Sequence, residues 1–180
     1  MKATGIVRRI DDLGRVVVPK EIRRTMRIRE GDPLEIYTAA DGEVILKKYS
    51  PIGELNRLAS QYCEVISKNT PFAVLVTDRD NCVAAAGISK KEVLDREVSE
   101  TLIDYMDSRQ TYTYTNDDPY QPSPLRSIEH KASVIMPIIS AGDVVGSVIL
   151  LSTEQSLVPS ESDIKLASVA AGFLGKQMEE

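Results

Sequence analysis

Arg8, Arg9, Arg15, Arg23, Arg24 and Arg27 crowd one short stretch of this sequence. An arginine carries a planar, permanently charged fork of donors that takes a phosphate or a guanine edge through two bonds at once. Several such forks within reach of one another make a device for binding polyanions. Residues 1–50 hold eleven Lys/Arg against eight Asp/Glu, whereas residues 51–180 hold eleven against nineteen. Within residues 1–29 the contrast is sharper, nine basic against three acidic. A cationic module joined to an anionic one separates a part that seeks polyanions from a part that avoids them. The concentration of arginine in the one cationic segment points to double-stranded DNA.

The elements that position these charges are short. Residues 3–10 and 15–18 are rich in β-branched residues, and Asp11-Asp12-Leu13-Gly14 supplies turn chemistry between them, which predicts a hairpin. Closing it brings Arg8 and Arg9 toward Arg15. Pro19 suits the first turn of a short helix, on which Ile22 and Met26 share one face and Arg23 and Arg27 another. Residues 34–38 and 43–49 form a second hairpin through Ala40-Asp41-Gly42 and carry Lys47 and Lys48. The ββαββ order makes a unit near the lower size limit for a lone domain, with strands apolar on both faces. A second copy is the simplest cover for the spare face, so the expectation is an obligate dimer with exchanged hairpins.

The run from Gly5 through Pro19, then Arg23-Arg24, and the closing Ile45-Leu46-Lys47-Lys48-Tyr49 resemble the swapped-hairpin DNA-binding domain of the AbrB/SpoVT transition-state regulators over residues 1–51. The resemblance implies an intertwined β-barrel dimer with short helices. It also implies DNA contacts from Arg8, Arg15, Arg23 and Arg24, with Arg9, Lys47 and Lys48 on phosphates. Arg27 is not carried over.

Residues 52–180 read as an α+β domain. Ile52, Leu55, Ala59, Tyr62 and Ile66 predict an amphipathic helix over 52–68, and Ile164, Ala167, Ala171, Leu174 and Met178 repeat its spacing after a capping-box-like Ser160/Asp163 start. These terminal helices are expected to pack on each other, to pair between subunits and give a tetramer, or to do both at once in a helical bundle. Strands are predicted at 72–77, 82–86, 132–139 and 144–151, helices around 90–94 and 98–106, and an irregular loop over 111–128. This half resembles a GAF domain, which implies a regulatory and possible ligand-sensing role. The small residues Ala84, Ala85 and Gly87, with Ile135 and Met136, are the candidate lining of its pocket.

The resemblance of the two halves together implies a transcription regulator of sporulation-stage genes, activating or repressing, in a bacterial cytoplasm and on its nucleoid. The sequence has no long apolar run and no apolar signal core. No metal or cofactor is expected. Cys63 and Cys82 have no metal spacing and read as buried reduced thiols rather than nucleophiles, and the lone His130 reads as a solvated side chain. Two rivals are weighed. An antitoxin would share the basic hairpin unit but would carry a disordered tail, which the patterned acidic half does not resemble. An enzyme would need a histidine, a helix N-terminus or a basic neighbour to activate one of the thiols.

Overall fold

The computed structural model describes residues 5–50, 52, 55–152 and 157–179. The chain divides into two compact units, Met1–Tyr49 and Ser50–Glu180.

In the first unit Pro19 opens α1 (Lys20–Thr25), a short helix that buries no side chain. It ends in a left-handed residue, Arg27 at φ 52°, with Ile28 N–H donating to the Arg23 carbonyl at 2.7 Å. That six-to-one bond is a Schellman ending, here with arginine where glycine is usual. Strands β1 (Leu34–Thr38) and β2 (Val44–Lys48) form the expected antiparallel hairpin, pairing Leu34 with Lys48 and Thr38 with Val44. Gly42, at φ +85°, closes its turn by donating to the Ala39 carbonyl.

The predicted first hairpin appears only in part. Asp11–Arg15 makes its turn, but residues 5–10 and 15–18 join no sheet. A strand exists only where an edge receives its hydrogen bonds, and a single copy offers these arms none. Burial tells the same story. Among the described residues of this unit only Pro19 is buried, while Val7, Ile10, Val17, Ile36 and Val44 are each more than 60% exposed. The described residues of this unit thus form no core of their own, and much of their apolar surface lies open.

The second unit supplies its own core. Its antiparallel sheet has the order β4-β3-β7-β6-β5. The strands are β3 (Ala73–Asp78), β4 (Cys82–Ala86), β5 (Tyr112–Thr113), β6 (Lys131–Ser140) and β7 (Asp143–Ser152). Alternation splits each strand between two faces. Val74, Val76, Ala84, Val148 and Leu150 meet Ile52, α2 (Asn56–Ser67) and α5 (Glu161–Gln177) on one side. Leu75, Ala85, Ile135 and Ile149 face the other side, with Val93 of α3 (Lys90–Val93) and Leu102 and Met106 of α4 (Glu100–Asp107). Helices on both faces of an antiparallel sheet give the α+β layout read from the sequence. The capping box forms as predicted: Asp163 N–H donates to Ser160 Oγ at 3.3 Å, and Ser160 N–H donates to Asp163 Oδ2 at 2.9 Å.

Two findings revise the expected helical seam. Leu174 is wholly buried against the sheet of its own chain, so it is not a contact between subunits. The outward surface of the helix pair instead shows Val65, Val169 and Phe173, all exposed, with the Phe173 ring stacked on Tyr62 at 4.9 Å.

Candidate nucleic-acid interface

Arg8, Arg9, Arg23 and Arg24 are exposed, the last two in the final turn of α1. The Arg15 side chain is 69% exposed and is tied at its base to Asp11, Nε to Oδ2 at 2.8 Å. Asp11 organises the whole tip of the arm. Its Oδ1 accepts from the N–H of Leu13 at 3.0 Å and of Arg15 at 2.8 Å, while its own N–H donates to the Arg15 carbonyl at 3.0 Å. Hydrogen bonds from the Arg15 backbone and then its side chain hold the Asp11 carboxyl below the usual carboxylate value. The tip is a fixed anion wrapped by donors, with Arg8 and Arg9 shortly before it and Arg15 shortly after.

The two lysines of β2 have different fates. Lys47 is exposed and stands opposite Glu35 across the hairpin. Lys48 turns inward, where its Nζ donates to the Arg27 carbonyl at 3.0 Å and pairs with Asp32 Oδ2 at 3.3 Å. With three-quarters of its side chain covered, Lys48 is a staple between the end of β2 and the loop after α1. Sequence could not separate the two, because the acceptor that captures Lys48 lies twenty-one residues away.

The five candidate pocket residues do not share one surface. Ala84 and Met136 belong to the face under α2 and α5, whereas Ala85 and Ile135 belong to the opposite face. Gly87 sits at the strand end with φ +79°, where a Cβ would stand 3.0 Å from Ala73 Cα, so backbone geometry explains it. Residues 111–128 are more than a surface loop: Pro122, Pro124 and Leu125 are buried, Ser99 N–H donates to the Pro124 carbonyl at 2.9 Å, and Ser123 Oγ donates to the Ile128 carbonyl at 3.1 Å. The segment is a pinned cover over the second face. His130 at its end is not simply solvated, since its Nε2 lies 3.2 Å from Glu92 Oε1.

Both thiols are buried, and desolvation pushes each up to about 12. Among the described residues no group of three or more His, Cys, Asp or Glu is placed to hold a metal ion.

Comparison with known proteins bears on both units. Residues 54–179 match the family model "Stage V sporulation protein T C-terminal, transcription factor", and residues 7–54 match "Antidote-toxin recognition MazE, bacterial antitoxin". The whole chain is 48% identical over 180 residues to stage V sporulation protein T of Bacillus subtilis (strain 168), covering 100% of both. It is 45% identical over 103 residues to the transition state regulatory protein AbrB of the same organism, covering 57% of this chain and 86% of that one. The blue-light absorbing form of the Thermosynechococcus elongatus PixJ GAF domain superposes with a TM-score of 0.59 at 13% identity, covering 73% of this chain and 89% of that one, which shows a GAF fold for the second unit. A coreless arginine-bearing unit followed by a GAF-type sheet, matched end to end by one relative, places this chain in the stage V sporulation protein T family of transcription factors.

Proposed function

We propose that this chain is a sequence-preferring DNA-binding regulator of sporulation-stage transcription. Residues 1–51 serve as the DNA-binding and dimerisation unit and residues 52–180 as a GAF-type regulatory unit. The observation that carries the reading is an exposed arginine set on a unit without a core. Pairing two copies supplies the missing strand edges, covers the apolar arms and doubles the cationic surface. Arg8, Arg15, Arg23 and Arg24 then make the principal contacts, with Arg9 and Lys47 on phosphates. The burial of Lys48 favours a structural role there.

The antitoxin alternative draws on the match over residues 7–54, but a folded second unit with its own two-sided core favours a regulator. The inert state of both thiols supports a non-enzymatic role. No helix among the described residues is long and apolar enough to cross a membrane. A tetramer through the GAF-type unit is supported by the outward apolar surface of Tyr62, Val65, Val169 and Phe173. Any ligand-sensing role falls to the face carrying Ala85 and Ile135, beneath the pinned cover.

The test is DNA binding by single alanine variants across a salt series. Each of Arg8→Ala, Arg15→Ala, Arg23→Ala and Arg24→Ala is expected to weaken binding at unchanged mass and melting temperature. The wild-type slope of log affinity on log salt should be about −0.9 per phosphate neutralised, and it should flatten in each variant. Binding that ignores salt would overturn the assignment. Mapping bound DNA across the genome, with and without residues 52–180, gives the operators and what the regulatory unit adds.

A further inference from the structure

An acidic residue at the tip of a basic arm is out of place if charge alone governs binding. Asp11 stands between Arg8-Arg9 and Arg15, and its field opposes an approaching polyanion. Its geometry accounts for its presence. One oxygen holds the turn by accepting from Leu13 and Arg15 N–H, and the other grips Nε of the Arg15 side chain at 2.8 Å. The bond is made at Nε, so the two terminal nitrogens keep their donor edge for a phosphate or a guanine.

We infer that Asp11 is a positioning residue for DNA recognition, which fixes the Arg15 guanidinium in its binding geometry before DNA arrives. This rests on the reading of Arg15 as a DNA contact. A free arginine samples many rotamers, and ordering them on binding weakens the complex. A carboxylate that already orders the side chain removes part of that cost. Preorganisation therefore outweighs the repulsion between Asp11 and the phosphates. Asp12 is the natural control, because it is an exposed acid beside Asp11 whose carboxylate makes none of these three bonds.

The experiment compares Asp11→Asn with Asp12→Asn in the full chain, titrated against an A·T-rich duplex long enough to span a dimer. Both variants remove one negative charge per copy. Asparagine at position 11 keeps an oxygen for the two backbone donors but presents an amide to Arg15 Nε. Asp12→Asn should bind more tightly than wild type, as charge alone requires, while Asp11→Asn should bind about fivefold more weakly. In an Arg15→Ala background the Asp11→Asn penalty should vanish. Binding by Asp11→Asn as tight as wild type, or tighter, overturns the inference, and so does a penalty that survives in the Arg15→Ala background. If Arg15→Ala alone binds like wild type, the underlying contact fails, and that result is distinct from the other two. Should Asp11→Asn disturb folding, Asp11→Ser gives a second measurement. Serine keeps an oxygen for the turn's backbone donors but removes the carboxylate from Arg15 Nε, so weakened binding that vanishes in the Arg15→Ala background supports positioning and wild-type affinity overturns it.

Discussion

The backbone of Gly175 in α5 lies directly on the carbonyl of Ile139 in β6: a Cβ on Gly175 would stand 2.1 Å from that oxygen. This contact sets how closely the last helix approaches the sheet; within the sheet, Gly146 of β7 lies against the Thr77 carbonyl of the neighbouring β3, where a Cβ would stand 2.0 Å away. Gly175→Ala and Gly146→Ala are each expected to destabilise the second unit by about 3 kcal/mol, the upper range for overpacking, because the opposing atoms are backbone and cannot turn aside. Thermal or urea unfolding checks both.

The outward face of the same helix pair separates packing from assembly. Leu174→Asp buries a charge in the core and should unfold the second unit rather than divide an oligomer. Val169→Asp places the charge on exposed surface, where it should leave the melting temperature nearly unchanged while lowering the mass of the assembly to a dimer in light scattering. An unchanged mass for Val169→Asp would remove α5 from the proposed interface.

Lys47 and Lys48 should behave differently. Lys48→Ala removes the bond to the Arg27 carbonyl and the ion pair with Asp32, whose Oδ2 keeps the Arg29 N–H, and should cost about 1–2 kcal/mol of stability in the assembled first unit. Lys47→Ala should spare stability and flatten the salt dependence of DNA binding.

The thiols give a pH signature. Each has a folded value of about 12 against an ordinary value of 9.0, so the folded chain holds these protons more tightly than the unfolded one. Their contribution to stability is whole below about pH 9 and is lost as pH rises toward 12. Denaturation should sharpen over that interval, and a Cys63→Ala, Cys82→Ala chain should lose less stability across it. Thiol reagents at neutral pH should react only as fast as the fold opens.

Ala85 tests the sensing face. It is buried at 1% exposure among packed side chains, so Ala85→Leu should lower stability by about 1–3 kcal/mol. Unchanged melting with altered DNA affinity of the full chain would mark a space open to a ligand.

Much of this was legible in the residues. β3, β6 and β7 announce themselves by apolar, β-branched runs, β4 falls on the expected 82–86, and Ser160 and Asp163 mark the start of α5, whereas the two-residue β5 (Tyr112–Thr113) lies inside the segment read as an irregular loop. The candidate pocket set divides between two faces for a reason also present in the sequence: neighbours such as Ala84 and Ala85 point to opposite faces of a strand. Leu174 leaves the expected seam because α5 buries it and exposes Phe173 instead, a choice made by the sheet beneath it. The tie between Lys48 and Arg27, the bond from Asp11 to the Arg15 side chain and the pairing of His130 with Glu92 depend on where chains meet in space. The arms at 5–10 and 15–18 are strands in their composition and not in one copy, since pairing is a property of two edges.

That only Pro19 is buried among the described residues of the first unit also bears on timing. The proposed DNA-binding surface, complete only when two copies meet, would form with the square of protein concentration, so occupancy of operators should rise with a threshold rather than in proportion to synthesis. In the proposed assembly the second unit would act as a tether: where it joins chains, the arms would see one another at an effective concentration set by the linker and not by the cell. Graded accumulation of the protein would become a switch in gene expression.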